Sequence, residues 1–357
     1  MADILSVYDE NKENYDSYAL SLKSLLTTLI RDTGTSIHSL ESRVKNRKSL
    51  EKKIIDKNKY ENISEITDVV GVRIITHYSD DVDKIARLIE QEFVVDTENS
   101  IDKRKALEPD RFGYLSLHYI VSLKENRSNL REYIPYNNIK AEIQIRSILQ
   151  HTWAEIEHDI GYKTSAGLPN EIRRYFSRLA GLLELADDEF IKIKNAILAR
   201  QEEVAKEIEQ GDGNSLLDIV SLKEYINKSK VISEIVDDFY DIYKIDISAG
   251  PGHIDKQKLL DALALLNIKT IKQLNESLIS NKILITKRLS KLSDGAMKLL
   301  VKGDIYRDAI VLYLIQMSIA NLESDSLEDK FIKIMDYRSR DDAKELFTGL
   351  RELTTLP

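Results

Sequence analysis

Residues 139–147 read IKAEIQIRS, and the alternation in this stretch decides the fold. In an extended chain successive side chains point to opposite faces, so Glu142, Gln144 and Arg146 share one face while Ile143 and Ile145 share the other. A strand with an apolar side and a row of carboxylate, amide and guanidinium belongs in a sheet whose second face meets something polar. Working outward, 66–76 (ITDVVGVRIIT) is a β-branched run. It is followed by Ser79-Asp80-Asp81, a capping cluster, and the helical pattern VDKIARLIEQEF. EFVVD (92–96) and GYLSLHYIVSL (113–123) supply two further strands. In the latter, Tyr114, Ser116 and His118 share a face opposite Leu115 and Leu117, and Gly113 permits close approach of a ligand to the backbone.

Upstream, YDSYALSLKSLLTTLIR (15–31) spaces its leucines as an amphipathic helix. After residue 147 almost every segment has helical periodicity. The expected fold is α+β: a mixed β-sheet domain with flanking helices, followed by an all-helical C-terminal domain. The boundaries expected are an N-terminal helix over 1–30, the sheet domain over 31–211 and a helical accessory or regulatory domain over 212–357. Gly211 to Asn214 is the linker and 248–252 a second break.

Composition narrows the chemistry. The 357 residues exceed what one core usually organises. With no Cys, disulfides, thiol nucleophiles and thiolate zinc sites are excluded. A net charge of −8 argues against general nucleic-acid binding. The longest apolar run, 309–322, is too short to cross a bilayer, and the N-terminus lacks a secretory pattern, so no membrane association and a cytoplasmic location are expected. Against that acidic background, SRVKNRKSLEKKI (42–54) concentrates Arg43, Lys45, Arg47, Lys48, Lys52 and Lys53 around Ser49. Most such runs are solvated helix faces; just ahead of Asp68, this one suits a polyphosphate clamp. Asp68 and Glu142, on different strands, could supply the hard oxygen ligands that Mg2+ takes.

The segments R-x-K-x3-S-x3-K (Arg43, Lys45, Ser49, Lys53), TDVVGVRI (67–74), GYLSLH (113–118) and EIQIRS with HTWAEIEH (142–158) resemble, in that order, the synthetase domain of RelA/SpoT proteins. The likeness covers roughly residues 30–200. It implies a nucleotidyltransferase-like fold and a GTP pyrophosphokinase-type activity, in which ATP gives its β,γ-pyrophosphate to the ribose 3'-hydroxyl of GTP or GDP to make the (p)ppGpp alarmone. By the same resemblance, Arg43 and Arg73 sandwich the adenine, Lys45, Ser49 and Lys53 hold the ATP phosphates, and Asp68 and Glu142 bind Mg2+. Glu142 also receives the hydroxyl proton. Tyr114 stacks on the acceptor base, and His118, Gln144 and Arg146 line the acceptor side. Trp153 reads as core, with Glu155, Glu157 and His158 as braces.

Two positions depart from the family's pattern. Pro109 is followed by Asp110 where a lysine commonly serves the acceptor's phosphates, and His151 stands where Asn is frequent. These leave a second acceptor open, the 3' end of tRNA, in a toxin-like enzyme controlled by its C-terminal domain. Alarmone hydrolase activity is not expected, because the only His-Asp pair, His158-Asp159, falls inside the synthetase helix. A degenerate nucleotide sensor is disfavoured by the intact Asp68, Glu142, Tyr114, Arg43 and Arg73. Residues 212–357 show no polar constellation and are expected to form a surface for self-assembly or a protein partner.

Overall fold

The computed structural model describes residues 2–102, 116–163, 169–210, 213–243, 246–248, 252–290, 305–337 and 339–355. The chain forms two compact units, Met1–Ile193 and Lys194–Pro357.

Unit 1 opens with α1 (Ala2–Glu10) and α2 (Lys12–Asp32), then β1 (Ile37–Val44), α3 (Arg47–Lys57), β2 (Val70–Thr76), α4 (Ser79–Glu92), β3 (Phe93–Val95) and β4 (Ile101–Asp102). It continues through β5 (Leu117–Leu123), α5 (Glu125–Ser128), β6 (Ala141–Ser147), α6 (Ile148–Lys163) and the start of α7 (Asn170–Gln210), a helix that runs on into unit 2. The strands lie in the order β1-β2-β6-β5-β3, with β4 on β5. Only the β2–β6 pair is parallel; the other pairs are antiparallel, so the sheet is mixed as expected.

One face of the sheet is apolar. Val72 and Ile74 of β2, Ile143 and Ile145 of β6 and Leu117 and Val121 of β5 join a core with Leu22 and Leu26 of α2 and Ile85 and Ile89 of α4. Burying such side chains contributes about 1.5–3 kcal/mol each, which fixes strand register as well as stability. A one-residue slip would turn Ile143 and Ile145 outward.

Two details differ from the sequence reading. The expected single helix over 1–30 is two, broken at Asn11, whose backbone (φ −104°, ψ 7°) leaves the helical region. Strand β1 was not expected at all. Its sequence, IHSLESRV, mixes polar residues on both faces, as an edge strand with a solvated side does. The cationic segment is consequently divided. Arg43 lies on β1, Lys45 in the connecting loop, and Ser49 and Lys53 on α3, whose N-cap Asn46 accepts from the Ser49 N–H at 2.8 Å.

Unit 2 is predominantly helical: α8 (Ile219–Lys228), α9 (Lys230–Tyr243), α10 (Lys256–Leu265), α11 (Ile271–Ser280), α12 (Lys282–Ser290), α13 (Asp308–Asn321), α14 (Asp325–Met335) and α15 (Arg340–Thr355). Among the described residues, the departures from all-helical are a two-residue parallel pairing, Ile247–Ser248 with Ile305–Tyr306, and an isolated antiparallel bridge between Leu216 and Thr270. The apolar α13 is the centre of this core, with Ile310, Val311, Leu314, Ile315 and Met317 fully buried. The linker reading needs correction at Gly213. Gly211 and Asp212 lie outside the described residues, but Gly213 is buried, and a Cβ there would fall 2.6 Å from Ile271 Cγ2. The backbone that follows is tied to α11's N-terminus by Lys272 N–H to Gly213 O and Leu217 N–H to Lys269 O. These hydrogen bonds make it part of the fold rather than a tether.

A buried ion pair crosses unit 2. Asp308 Oδ2 accepts from Lys256 Nζ at 2.7 Å and from the Ile254 N–H at 3.1 Å. Asp308→Ala would strand both donors, at a cost of about 3–5 kcal/mol. Calorimetry of the full chain should therefore show a transition lowered by about 5 °C or more; a shift below about 2 °C would show the pair to be dispensable.

Candidate active site

The parallel β2–β6 register sets Gly71 beside Glu142 and Arg73 beside Gln144. Antiparallel pairing adds β1 on one side, with Arg43 opposite Gly71 and Glu41 opposite Arg73, and β5 on the other, with His118 opposite Gln144. Paired residues share a face. The side of the sheet away from the apolar core therefore carries Glu41, Arg43, Arg73, Glu142, Gln144, Arg146 and His118. A pocket in this face is lined by Glu41, Ser42, Arg43, Asp68, Gly71, Val72, Arg73, Glu142 and Gln144. Gly71 forms its floor; a methyl there would meet Arg43 Cγ at 3.8 Å, so alanine fits but a larger side chain would fill the pocket.

Asp68 sits in the turn before β2 and is gripped by two lysines. Lys45 Nζ lies 3.0 Å from Oδ2, and Lys53 Nζ lies 2.9 Å from Oδ1, the latter without hydrogen-bond alignment. Lys45 is itself held by its backbone. Its N–H donates to Val69 O at 2.8 Å, and its carbonyl accepts from the hydroxyl of the buried Tyr8 on α1 at 2.7 Å. One residue along, Asp9 pairs with Arg47 at 3.0 Å.

Along β6 the polar side chains form a chain of hydrogen bonds. Arg146 Nη2 donates to Gln144 Oε1, and Gln144 Nε2 donates to Glu142 Oε2, both at 2.8 Å. His118 Nδ1 lies 2.9 Å from Glu142 Oε1, and its Nε2 lies 2.6 Å from the Ser116 hydroxyl. Burial alone would push the Glu142 carboxyl up. The His118 hydrogen bond and charge, the Gln144 amide and nearby Lys53 outweigh it and bring the group down to about 2. Arg146 is buried, with its Nε unpaired; burial first and then the neighbouring Arg73 and Arg43 charges lower its guanidinium to about 10. An unpaired buried donor beside two other cations is a setting for an anion.

Every described site residue expected from the sequence is brought to this face or its rim except Ser49, whose backbone is used in the α3 cap. Tyr114 lies outside the described residues, as do Pro109 and Asp110. Two contributors were missed. Glu41 lines the pocket opposite Arg73, and nothing in the sequence could show this before β1 was paired. Glu155, read as a brace, accepts from Arg73 Nη1 at 2.9 Å, holding one expected adenine-clamp arginine in place. Trp153 is core as expected, edge-on to Phe176 at 6.2 Å. His151 is 3.7 Å from Glu155; burial, then Arg146, lowers its pKa.

Comparison with known proteins finds likeness over part of the chain. Residues 42–167 match the family model described as "Region found in RelA / SpoT proteins". GTP pyrophosphokinase YwaC of Bacillus subtilis (strain 168) is 29% identical over 209 residues, which cover 55% of this chain and 96% of that protein. GTP pyrophosphokinase YjbM of the same organism is 26% identical over 142 residues, 39% of this chain and 63% of that protein. The crystal structure of small alarmone synthetase 2 from Bacillus subtilis aligns with a TM-score of 0.44 at 27% identity, over 53% of this chain and 98% of that one. By the family model, residues 42–167 carry the region found in RelA/SpoT proteins. With it, the chain is an enzyme of the pyrophosphotransferase class.

The depressed carboxyl gives a direct test. A group lowered in the fold contributes stability above the ordinary carboxylate range and loses it as pH falls toward its folded value, here about 2. Removing the ring in His118→Ala takes away the leading stabiliser of the anion while burial remains, so the Glu142 carboxyl should titrate more than one unit higher by carboxyl-carbon NMR. An unmoved titration would show that His118 does not hold it.

Proposed function

We propose that unit 1 transfers the β,γ-pyrophosphate of ATP to the ribose 3'-hydroxyl of GTP or GDP, forming a (p)ppGpp-type alarmone. The observation that carries this reading is Glu142 sharing one pocket with Asp68 and the Arg43–Arg73 pair. It is supported by two relatives that bear the name GTP pyrophosphokinase.

In this reading the planar guanidinia of Arg43 and Arg73 hold the adenine, a contact that lysine cannot imitate. Lys45 and Lys53 release Asp68 to take up phosphate charge, and Ser49 supports them from the start of α3. Two carboxyl groups in one pocket, one with an oxygen lacking an aligned partner, suit Mg2+, which would fill its other positions with water and phosphate oxygens. Bound there, the ion supplies charge neutralisation and alignment.

The 3'-oxygen attacks the β-phosphorus, the bond from that phosphorus to the oxygen bridging to the α-phosphate breaks, and AMP leaves. The hydroxyl proton passes to Glu142, which the His118 and Gln144 hydrogen bonds hold in place. Arg146 and Gln144 line the acceptor side, with Tyr114 stacking on its base.

The 3' end of tRNA stands as the second acceptor, because Asp110 carries the wrong charge for a nucleotide's phosphates. No described helix is long and apolar enough to cross a membrane. The reaction is placed in the cytoplasm on the strength of its substrates, with residues 212–357 as a regulatory or assembly surface.

Chromatography of labelled products, with GDP, GTP or total tRNA as acceptor, tests the assignment; label appearing only on tRNA would replace the alarmone reading. Asp68→Asn and Glu142→Gln each remove one charge with little change of shape and should lower turnover at least tenfold at any ATP concentration. Either variant keeping more than a tenth of wild-type turnover would remove it from the site. Tyr114→Ala should raise the acceptor KM by roughly 5- to 100-fold, the equivalent of about 1–3 kcal/mol of stacking, while ATP affinity stays unchanged; a collapse of ATP binding would move Tyr114 to the donor side.

A further inference from the structure

None of the residues lining the pocket comes from helix α1, yet α1 is fastened to the loop that carries Lys45. Its inner face, Ile4, Leu5 and Tyr8, is buried in the same core as Leu50 and Ile54 of α3 and as Ile66 and Val69, which flank Asp68 in the turn before β2. Tyr8 is 1% exposed, and its ring stacks on Tyr15 of α2 at 5.9 Å. Packing therefore fixes the ring, and its hydroxyl donates to Lys45 O at 2.7 Å, across 37 positions of chain. Burial pushes the pKa of that hydroxyl up, so it stays protonated and remains a donor.

We propose that Tyr8 is a positioning residue for ATP, holding the backbone of Lys45 so that its ammonium reaches the phosphates. The inference rests on the reading of Lys45 as a phosphate ligand. Ser49 and Lys53 are placed by α3 and its Asn46 cap, and Arg43 by the pairing of β1 with β2. Lys45 stands in the loop between those two elements, where no helix or ladder places it. Its two backbone polar groups are pinned instead by distant partners: the N–H by Val69 O at 2.8 Å and the carbonyl by Tyr8. From these anchors the side chain extends to Asp68, with Nζ 3.0 Å from Oδ2. A lysine is a point charge on a flexible stem, so what fixes its root decides how well it meets a phosphate. The neighbouring Asp9–Arg47 pair is about half exposed and adds little energy to the clasp, which leaves the Tyr8 hydroxyl as its main fastener.

The test is the affinity of the full chain for ATP with Mg2+, by titration calorimetry, across a double-mutant cycle. Tyr8→Phe removes only the hydroxyl and should raise the ATP dissociation constant about three- to tenfold, the range one hydrogen bond commands. Lys45→Ala should raise it as well. Adding Tyr8→Phe to Lys45→Ala should then change nothing further, because the hydroxyl acts through that side chain alone. A Tyr8→Phe effect below about threefold, beside a Lys45→Ala variant that does weaken ATP, overturns the proposal. Equal weakening by Tyr8→Phe in both backgrounds overturns it too, since Tyr8 would then brace the fold rather than place Lys45. An ATP affinity untouched by Lys45→Ala overturns the assignment of Lys45 to the phosphates, and this inference with it.

Discussion

The parallel alignment of β2 and β6 is the constraint on which unit 1 depends. It brings a glycine level with Glu142 and an arginine level with Gln144, and the β1 and β5 registers follow from it. The same alignment buries Val72, Ile74, Ile143 and Ile145 on the reverse side. Stability and chemistry are therefore two faces of one register: the hydrophobic driving force of the core holds the polar face in place, so the site need not be stable by itself.

That polar face is dense in charge, and its ion pairs are of two kinds. Asp68 between Lys45 and Lys53 is a partly exposed cluster, and in the proposed reaction its members exchange partners when a polyphosphate arrives. Glu142 with His118, Gln144 and Arg146 is a more buried chain, each member oriented by the next. The first arrangement is suited to capture and the second to fixed geometry, a division that electrostatic preorganisation requires of a group-transfer site.

Much of unit 1 was legible because its strands are either strictly alternating, as in 139–147, or β-branched, as in 70–76. The facing of Glu142, Gln144 and Arg146 followed from period two alone. What escaped was whatever depends on pairing. Strand β1 has no apolar face strong enough to announce it, so the position of Glu41 beside Arg73 was invisible, and the cationic segment read as one run although it divides among strand, loop and helix. Gly213 misled for a related reason. A Gly-Asp-Gly-Asn cluster signals a turn, but only the packing of Ile271 shows that Gly213 is buried. In unit 2 the helices were readable from their periodicity, while the Lys256–Asp308 pair joins residues 52 positions apart and left no local mark.

The hydrogen bond from Tyr8 to the Lys45 carbonyl bears on how the enzyme is made. During synthesis α1 leaves the ribosome before the sheet, yet the loop it clasps lies next to β1, which pairs with β2, and β2 pairs with β6, whose last residue is Ser147. That helix must wait for well over a hundred further residues before the sheet that frames its acceptor is complete. Such long-range closure slows folding, and here it makes the Tyr8 clasp on the Lys45 loop a late event, so the two ends of that contact are joined only as the sheet closes.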